Sequence, residues 1–487
     1  MIFNSKQFII FFPIVVALYY LLPQKFRWLM LLIASCIFYM AFVPKYILIL
    51  AFTIFIDYFA GILIEKSEGK KRKLFLIISI IANVGILAFF KYFNFFAENI
   101  NEIATFIHWN YSLEFLHILL PVGLSFHTFQ AMSYTIEVYR RNQKAERHIG
   151  IYALYVMFFP QLVAGPIERP QNLIHQFYEH HYFNYERVTK GLKLMAWGFI
   201  KKIVIADRLA VMVNQIFDNT NNYSGPIFII ATIFFAYQIY CDFSGYTDIA
   251  RGGAQVLGFN LMNNFDRPYS SHSITEFWRR WHISLSSWFR DYVYFPLGGS
   301  QTSNWKIYRN IFIVFLLSGL WHGANWTFVI WGALQAIFLM YERATVSLRN
   351  SISEFFKLNM FPGFHSILQV VVTFTLICIG WVFFRAKTLT DAYFILKSSF
   401  VNIFDITKFS FWESLPKELN SNIYNVFLAI LSIFILEGVQ YWLRDKGFED
   451  KVSSLNIFVR WTIYFLMVVI LRFLFVEAGQ QFIYFQF

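Results

Sequence analysis

Charge is what this sequence has least of. Only 14% of its 487 residues are Asp, Glu, Lys or Arg, against 57% apolar, and the mean hydropathy is +0.50. A soluble chain of this length would carry far more charge. Cysteine is also scarce: Cys36, Cys241 and Cys378 all lie in apolar segments. Their spacing suits neither a disulfide framework nor a metal site, so they read as buried thiols. The N-terminus lacks a basic region followed by a small-residue cleavage site. Its first apolar run, 8–22, therefore reads as a retained transmembrane helix. The ten-residue alternation of a membrane β-barrel is missing. No internal repeat and no long linker divides the chain, which points to a single membrane domain over residues 1–487.

What is present is a series of apolar runs of about 20 residues, the length a helix needs to cross a bilayer. They fall near 8–22, 26–43, 46–64, 74–95, 115–138, 149–165, 191–213 and 226–241. Further runs cover 308–341 in two pieces, 366–384, 423–443 and 457–476. The expected fold is an all-α polytopic membrane protein with about 11 spans. The net charge of +12 does not indicate nucleic acid, because the basic residues cluster in short loops between apolar runs. The loop EKSEGKKRK (65–73) holds five basic residues, 92–139 holds none, and RRNQKAER (140–147) holds four. Positive-inside logic puts both basic loops in the cytoplasm and the N-terminus outside. Beyond residue 147 the charges stop alternating. Re-entrant or interfacial segments are expected there, tolerated inside protein or around a water-filled cavity.

The stretch ITEFWRRWHISLSSWFRDYVYFPLGG (274–299) carries the most information. Placed on one helix at 100° per residue, Ile274, Phe277, Trp278, Trp281, Leu285, Trp288, Phe289 and Tyr292 share a face. Arg279, Arg280, Arg290 and Glu276 take the other side, with Glu276 and Arg280 spaced to pair. Such a helix is too charged to span. It reads either as an interfacial anchor or as the lining of a polar cavity. His282 falls at the edge of its apolar stripe, to be ended by PLGG at 296–299.

Residues 311–341 hold no charged side chain, yet SGLWHGANW (318–326) lies among them. One tilted span uses roughly 17–25 residues, so this run has a surplus. Ser318, Gly319, Gly323 and Asn325 mark where a helix break or a close helix contact is expected. That places His322 in a polar pocket at membrane depth. It is either a structural hydrogen bonder or a functional imidazole. Imidazole is the side chain best suited to proton transfer near neutral pH. Asn325, three residues on, would share its face if the helix continued, and would orient a substrate or the ring. In YCDFSGYTDIARGGAQ (240–255), Asp242, Asp248 and Arg251 follow an apolar run, with Tyr246 between. They read as an ion pair that fixes packing, or as pocket lining. LVAGPIERP (162–170) reads as a turn at the membrane edge or a re-entrant tip, and His180 and His181 as loop histidines with no third ligand near. No metal set and no Ser-His-Asp arrangement is visible.

FWRRWHISLSSWFRDYVYFPLGG, GLWHGANWTFVIWG, FFPQLVAGPIERP and the C-terminal FIYFQF together resemble the membrane-bound O-acyltransferase (MBOAT) family. The branch they most resemble is that of the AlgI-type polysaccharide O-acetyltransferases, with PatA and DltB as relatives. The likeness runs over residues 3–487. Its catalytic segments would lie in a core of about 115–345, followed by additional spans over 366–476. The spans near 423–443 and 457–476 run past a shorter DltB-like core and favour acetyl over D-alanyl transfer. The resemblance implies tilted helices around a central funnel or tunnel in a bacterial inner membrane. It matches the family's key histidine to His322 and its second histidine to His282. Arg279, Arg280 and Trp281 become donor-binding or positioning candidates beside Asn325, Asp242 and Tyr246. The implied donor is cytoplasmic acetyl-CoA, not a bound cofactor. The implied partner is an extracytoplasmic SGNH-type acetyltransferase of the AlgJ, AlgX or PatB kind, acting on a polysaccharide hydroxyl. Two rivals stay open: D-alanyl transfer from an acyl carrier protein, and a non-catalytic acyl conduit or scaffold.

Overall fold

The computed structural model describes residues 1–109, 111–116, 121, 123–475 and 482–483. FIYFQF beyond Ile483 lies outside them. Among the described residues every regular element is helical. Five helices among the described residues are long and apolar enough to cross a membrane: Pro44–Lys66, Gly69–Phe106, Ile227–Leu257, Pro362–Arg385 and Ile423–Trp442. Lys6–Leu21 is a shorter apolar helix. Together they make a multi-pass membrane protein, although among the described residues fewer helices meet that length and composition than the roughly eleven spans expected. Most of the five leave apolar side chains such as Phe52, Ile81, Val372 and Phe434 uncovered, as lipid-facing helices do. Ile227–Leu257 differs, with 83% of its apolar window buried.

Two compact units divide the chain: Met1–Gly198 with Tyr246–Met262, and Phe199–Gly245 with Asn263–Phe487. In the first, Gly69–Phe106 has 38 residues, about 57 Å at 1.5 Å per residue, longer than a bilayer core. Its inward face carries a buried polar knot: Ser79 Oγ and Asn83 Nδ2 donate to the Asp57 carboxylate at 2.6 and 2.8 Å. The segment 158–169 is a turn, as its Gly and Pro content requires, and its Glu168 carboxylate is buried. Tyr185–Phe199 crosses Ile227–Leu257 at Gly191 and Gly252. A Cβ on Gly191 would lie 2.6 Å from the Gly252 oxygen.

The second unit holds both segments singled out by sequence. Residues 311–341 form parts of two 19-residue helices, Asn304–His322 and Trp326–Ala344. The break is displaced from where the small residues begin: Ser318 and Gly319 remain helical, and the chain turns extended at Gly323–Asn325. The two helices fold back on each other with backbones touching. A Cβ on Gly319 would meet the Phe328 oxygen at 2.3 Å, and one on Gly332 the Phe315 oxygen at 2.3 Å. Asn325 caps the second helix, its Oδ1 accepting from Thr327 N at 2.9 Å.

The single helix expected over 274–295 is not formed. Ile274–Arg280 ends at Trp281, and Ile283–Phe289 begins after His282, which sits in the left-handed region at φ 44°, ψ 55°. The amphipathic period persisted through a break it could not report, because one left-handed residue reorients the chain without disturbing the order of apolar side chains. The extended YCDFSGYTDIARGGAQ stretch is also helical, being the continuation of Ile227–Leu257.

The hairpin generates a prediction. Gly319→Ala should lower the melting temperature of the detergent-purified protein, since overpacking costs ~1–3 kcal/mol. Gly363→Ala, whose Cβ would meet nothing within 4 Å, is the matched control and should melt like the parent. Equal melting of the two variants would refute the close backbone contact.

Candidate active site

His322 is the last residue of the helix Asn304–His322, so the extended turn leaves its ring at the closed end of the hairpin. It is 6% exposed. Its ring stands edge-on to Trp331 at 4.9 Å and to Phe384 at 5.0 Å, with Trp321 at 4.8 Å. Gly323 follows because a Cβ there would run into the Phe328 ring at 2.1 Å. A wider aromatic wall continues from this point. Trp331 stacks on Trp381, Trp381 meets Trp281 at 5.0 Å, and Trp278 meets Trp331 at 5.8 Å.

His282 is reached from the other segment and is buried to 1% exposure. Trp321 lies 6.1 Å from its ring and so contacts both histidines. Phe243 covers its edge at 4.6 Å. A non-glycine residue in the left-handed region costs on the order of 1–2 kcal/mol, which local hydrogen bonds must offset. Ile283 N donates to the Asn264 carbonyl at 2.9 Å, and Ser284 N to Asn264 Oδ1 at 3.1 Å. Leu285 N and Ser286 N both reach the His282 carbonyl, starting the next helix. Burial pushes the His282 imidazole down to about 3, so it is neutral at physiological pH.

His282 and His322 line one cavity of about 540 Å³, a size that suits small-molecule substrates. Trp281, Trp278, Ser318 and Phe315 contribute to its wall, and Arg279 and Arg290 supply positive charge. The sequence candidates sort accordingly. Trp281 and Arg279 line the cavity. Arg280 does not: it is held by Glu276 at 2.6 Å, the expected i,i+4 pair, and donates to Ser270 Oγ at 2.9 Å. Asn325 points its amide to the Lys387 carbonyl at 3.2 Å besides capping its helix. It shares no helix face with His322, because the helix ends between them.

Asp242 and Tyr246 are not in the described lining either. Asp242 is buried against Lys202 Nζ at 2.7 Å and accepts from Ile483 N at 2.7 Å. Lys202 also bonds Asp207 at 2.8 Å. Tyr246 packs on Phe3 at 4.5 Å. Arg251 pairs with Asp248 at 3.6 Å. The expectation of an ion pair in this stretch thus holds, with Lys202 as a partner that sequence did not offer. Asn264 and Phe384 were missed altogether, since nothing in their local pattern separates them from ordinary helix and loop residues, and Trp331 was quoted within GLWHGANWTFVIWG without being singled out. His181 is a loop histidine, its Nε2 2.9 Å from the Gln176 oxygen. Among the described residues, no three His, Cys, Asp or Glu side chains gather as metal ligands would.

Two buried imidazoles on one cavity, at the closed end of a helix hairpin, suit acyl transfer to a hydroxyl. Residues 147–384, which include the whole cavity, match the MBOAT, membrane-bound O-acyltransferase family. A probable alginate O-acetylase AlgI of Pseudomonas aeruginosa is 40% identical over 406 residues, covering 82% of this chain and 75% of that protein. The chain belongs to the MBOAT family. A peptidoglycan O-acetyltransferase of Helicobacter pylori is 37% identical over 430 residues, covering 82% of this chain and 79% of that protein. A teichoic acid D-alanyltransferase of Bacillus subtilis is 27% identical over 286 residues, covering 55% and 69%. As an MBOAT member the protein is a membrane acyltransferase.

A pH prediction rests on His282. Its folded value near 3 lies below the ordinary 6.5, so the unfolded chain binds the proton first as pH falls. Stability from the neutral ring is fully present above about pH 6.5 and is lost toward pH 3. Melting temperature should therefore fall more steeply between pH 6.5 and 4.5 in the parent than in His282→Gln. Parallel slopes would contradict the burial of a neutral ring.

Proposed function

We propose that this MBOAT member is an O-acetyltransferase that passes acetyl groups from cytoplasmic acetyl-CoA for O-acetylation of an extracytoplasmic polysaccharide. The observation that carries the reading is the single cavity lined by His282, His322, Arg279 and Arg290. His322 is the general base. It takes the proton of the acceptor hydroxyl as that oxygen attacks the thioester carbonyl. The C–S bond then breaks, and the leaving thiolate takes the proton back from the imidazolium. His282, neutral and rigidly held, polarises or positions the acyl carbonyl or the acceptor. Arg279 and Arg290 attract the phosphates of the donor. Two arrangements fit the end of the sequence: direct transfer to the polymer, or hand-over to an SGNH-type partner outside the membrane. The reading places the chain in a bacterial inner membrane with its N-terminus outside, on the basic loops at 65–73 and 140–147. The alginate and peptidoglycan names of the relatives at 40% and 37% identity support acetyl transfer to a glycan. D-alanyl transfer rests on relatives at 27% identity.

His322→Ala, at normal membrane abundance, should lower polymer O-acetylation by roughly 10²–10⁴-fold, the usual contribution of a general base. Mass analysis of the surface polysaccharide reads this, and retained acetylation sinks the assignment. Purified protein should also turn over acetyl-CoA, whereas a conduit would bind without turnover. Arg279→Ala combined with Arg290→Ala should raise the KM for acetyl-CoA with little change in kcat. The parent's KM should rise with salt and the variant's should not.

A further inference from the structure

Asn264 lies 18 residues before His282 in the chain and is fully buried beside it. Its Oδ1 takes three partners: Ser284 N at 3.1 Å, Ser284 Oγ at 2.9 Å and His282 Nδ1 at 3.1 Å. The first of these fixes the chemistry. A backbone N–H can only donate, so the amide atom facing it is the oxygen and not the nitrogen. An amide oxygen can only accept. The His282 nitrogen facing that same oxygen must therefore carry the hydrogen.

We propose that Asn264 is a positioning residue that holds His282 as the Nδ1–H tautomer, leaving the lone pair on Nε2 of a ring that lines the acyl-transfer cavity. Neighbouring hydrogen bonds and ring contacts make the arrangement rigid. The Asn264 carbonyl takes Ile283 N, its side chain takes Ser284, and Phe243 and Trp321 confine the ring. Asn264, through its side-chain oxygen and its main-chain carbonyl, thus binds residues 282, 283 and 284. A histidine on an uninterrupted helix would have no such clamp. The consequence for the reaction, which rests on the function proposed above, is that His282 enters as an acceptor at Nε2. It receives a hydrogen bond or a proton from the hydroxyl acceptor or from His322, and does not donate to the acyl oxygen while neutral. This orientation of the second histidine follows from the Asn264 amide and not from the cavity.

The test reads the tautomer directly. In protein labelled with ¹⁵N-histidine, with His282 assigned by its loss in His282→Gln, Nδ1 should be protonated and Nε2 bare near pH 7. A protonated Nε2 overturns the proposal whatever the enzyme's donor proves to be, which separates this result from failure of the functional reading. Kinetics of acetyl transfer give the second measurement. Asn264→Ala should lower kcat roughly ten- to a hundredfold while the donor KM stays within about threefold. Asn264→Asp keeps every accepting contact and should restore most of kcat. A carboxylate beside the ring favours its charged form, so the acid limb of the pH–kcat profile should move up by about 1 unit or more. The other titratable groups facing the ring across the cavity are His322, Arg279, Arg290 and Tyr294, and none of them is changed. A purely structural Asn264 would leave the Asp variant with the parent's pH profile, and that result refutes the assignment. Should Asn264→Ala fail to fold, the parent spectrum and the Asp variant still decide it.

Discussion

At Gly319 and Gly332 two helices touch backbone to backbone, and a methyl group on either would collide with a carbonyl 2.3 Å away. In lipid, where hydrophobic burial gives little net drive between helices, such close approach is a main source of association. The contact also fixes geometry. It draws Trp326–Ala344 against Asn304–His322, closes the chain at Gly323–Asn325, and sets His322 against Trp331. The aromatic wall then grows outward from that point through Trp381 to Trp281. The second histidine segment is seated on this wall, so the cavity inherits its shape from a pair of glycines.

His282 is placed by a different force. Its left-handed backbone is unfavourable by itself and persists because Asn264 satisfies the groups that the break exposes. Strain at one residue aims a buried imidazole at a cavity that a regular helix would have presented to a different neighbour. Burial keeps that imidazole neutral, which suits proton transfer better than a fixed cation. Other charged groups are held in pairs of their own. Lys202 bridges Asp207 and Asp242 in a separate buried cluster, and Arg280 is occupied by Glu276. Arg279 and Arg290 are the arginines that line the cavity among the described residues.

Much of this was legible in the order of residues. The dearth of charge and the recurrence of apolar runs determined a helical membrane protein, because a bilayer forces every backbone polar group to be satisfied within a helix or a closed barrel. The uncharged run 311–341 was too long for one span, and with its small residues that surplus pointed to a break or a close helix contact. The Glu276–Arg280 pair followed from helical spacing. Tertiary structure decided the rest. Asn325 could not be separated from a ring-orienting residue until the helix was seen to stop before it. The 100° periodicity of 274–295 could not reveal a left-handed residue, since periodicity records which side chains are apolar and not the φ of the one between them. Asn264 and Phe384 come to the site, and Lys202 to its own buried cluster, from distant positions, and the packing that brings them there leaves no local trace. Sequence singled out two histidines in a membrane acyltransferase as candidates. Only the fold decided which nitrogen of His282 holds its hydrogen, because that depends on a hydrogen bond spanning 18 residues.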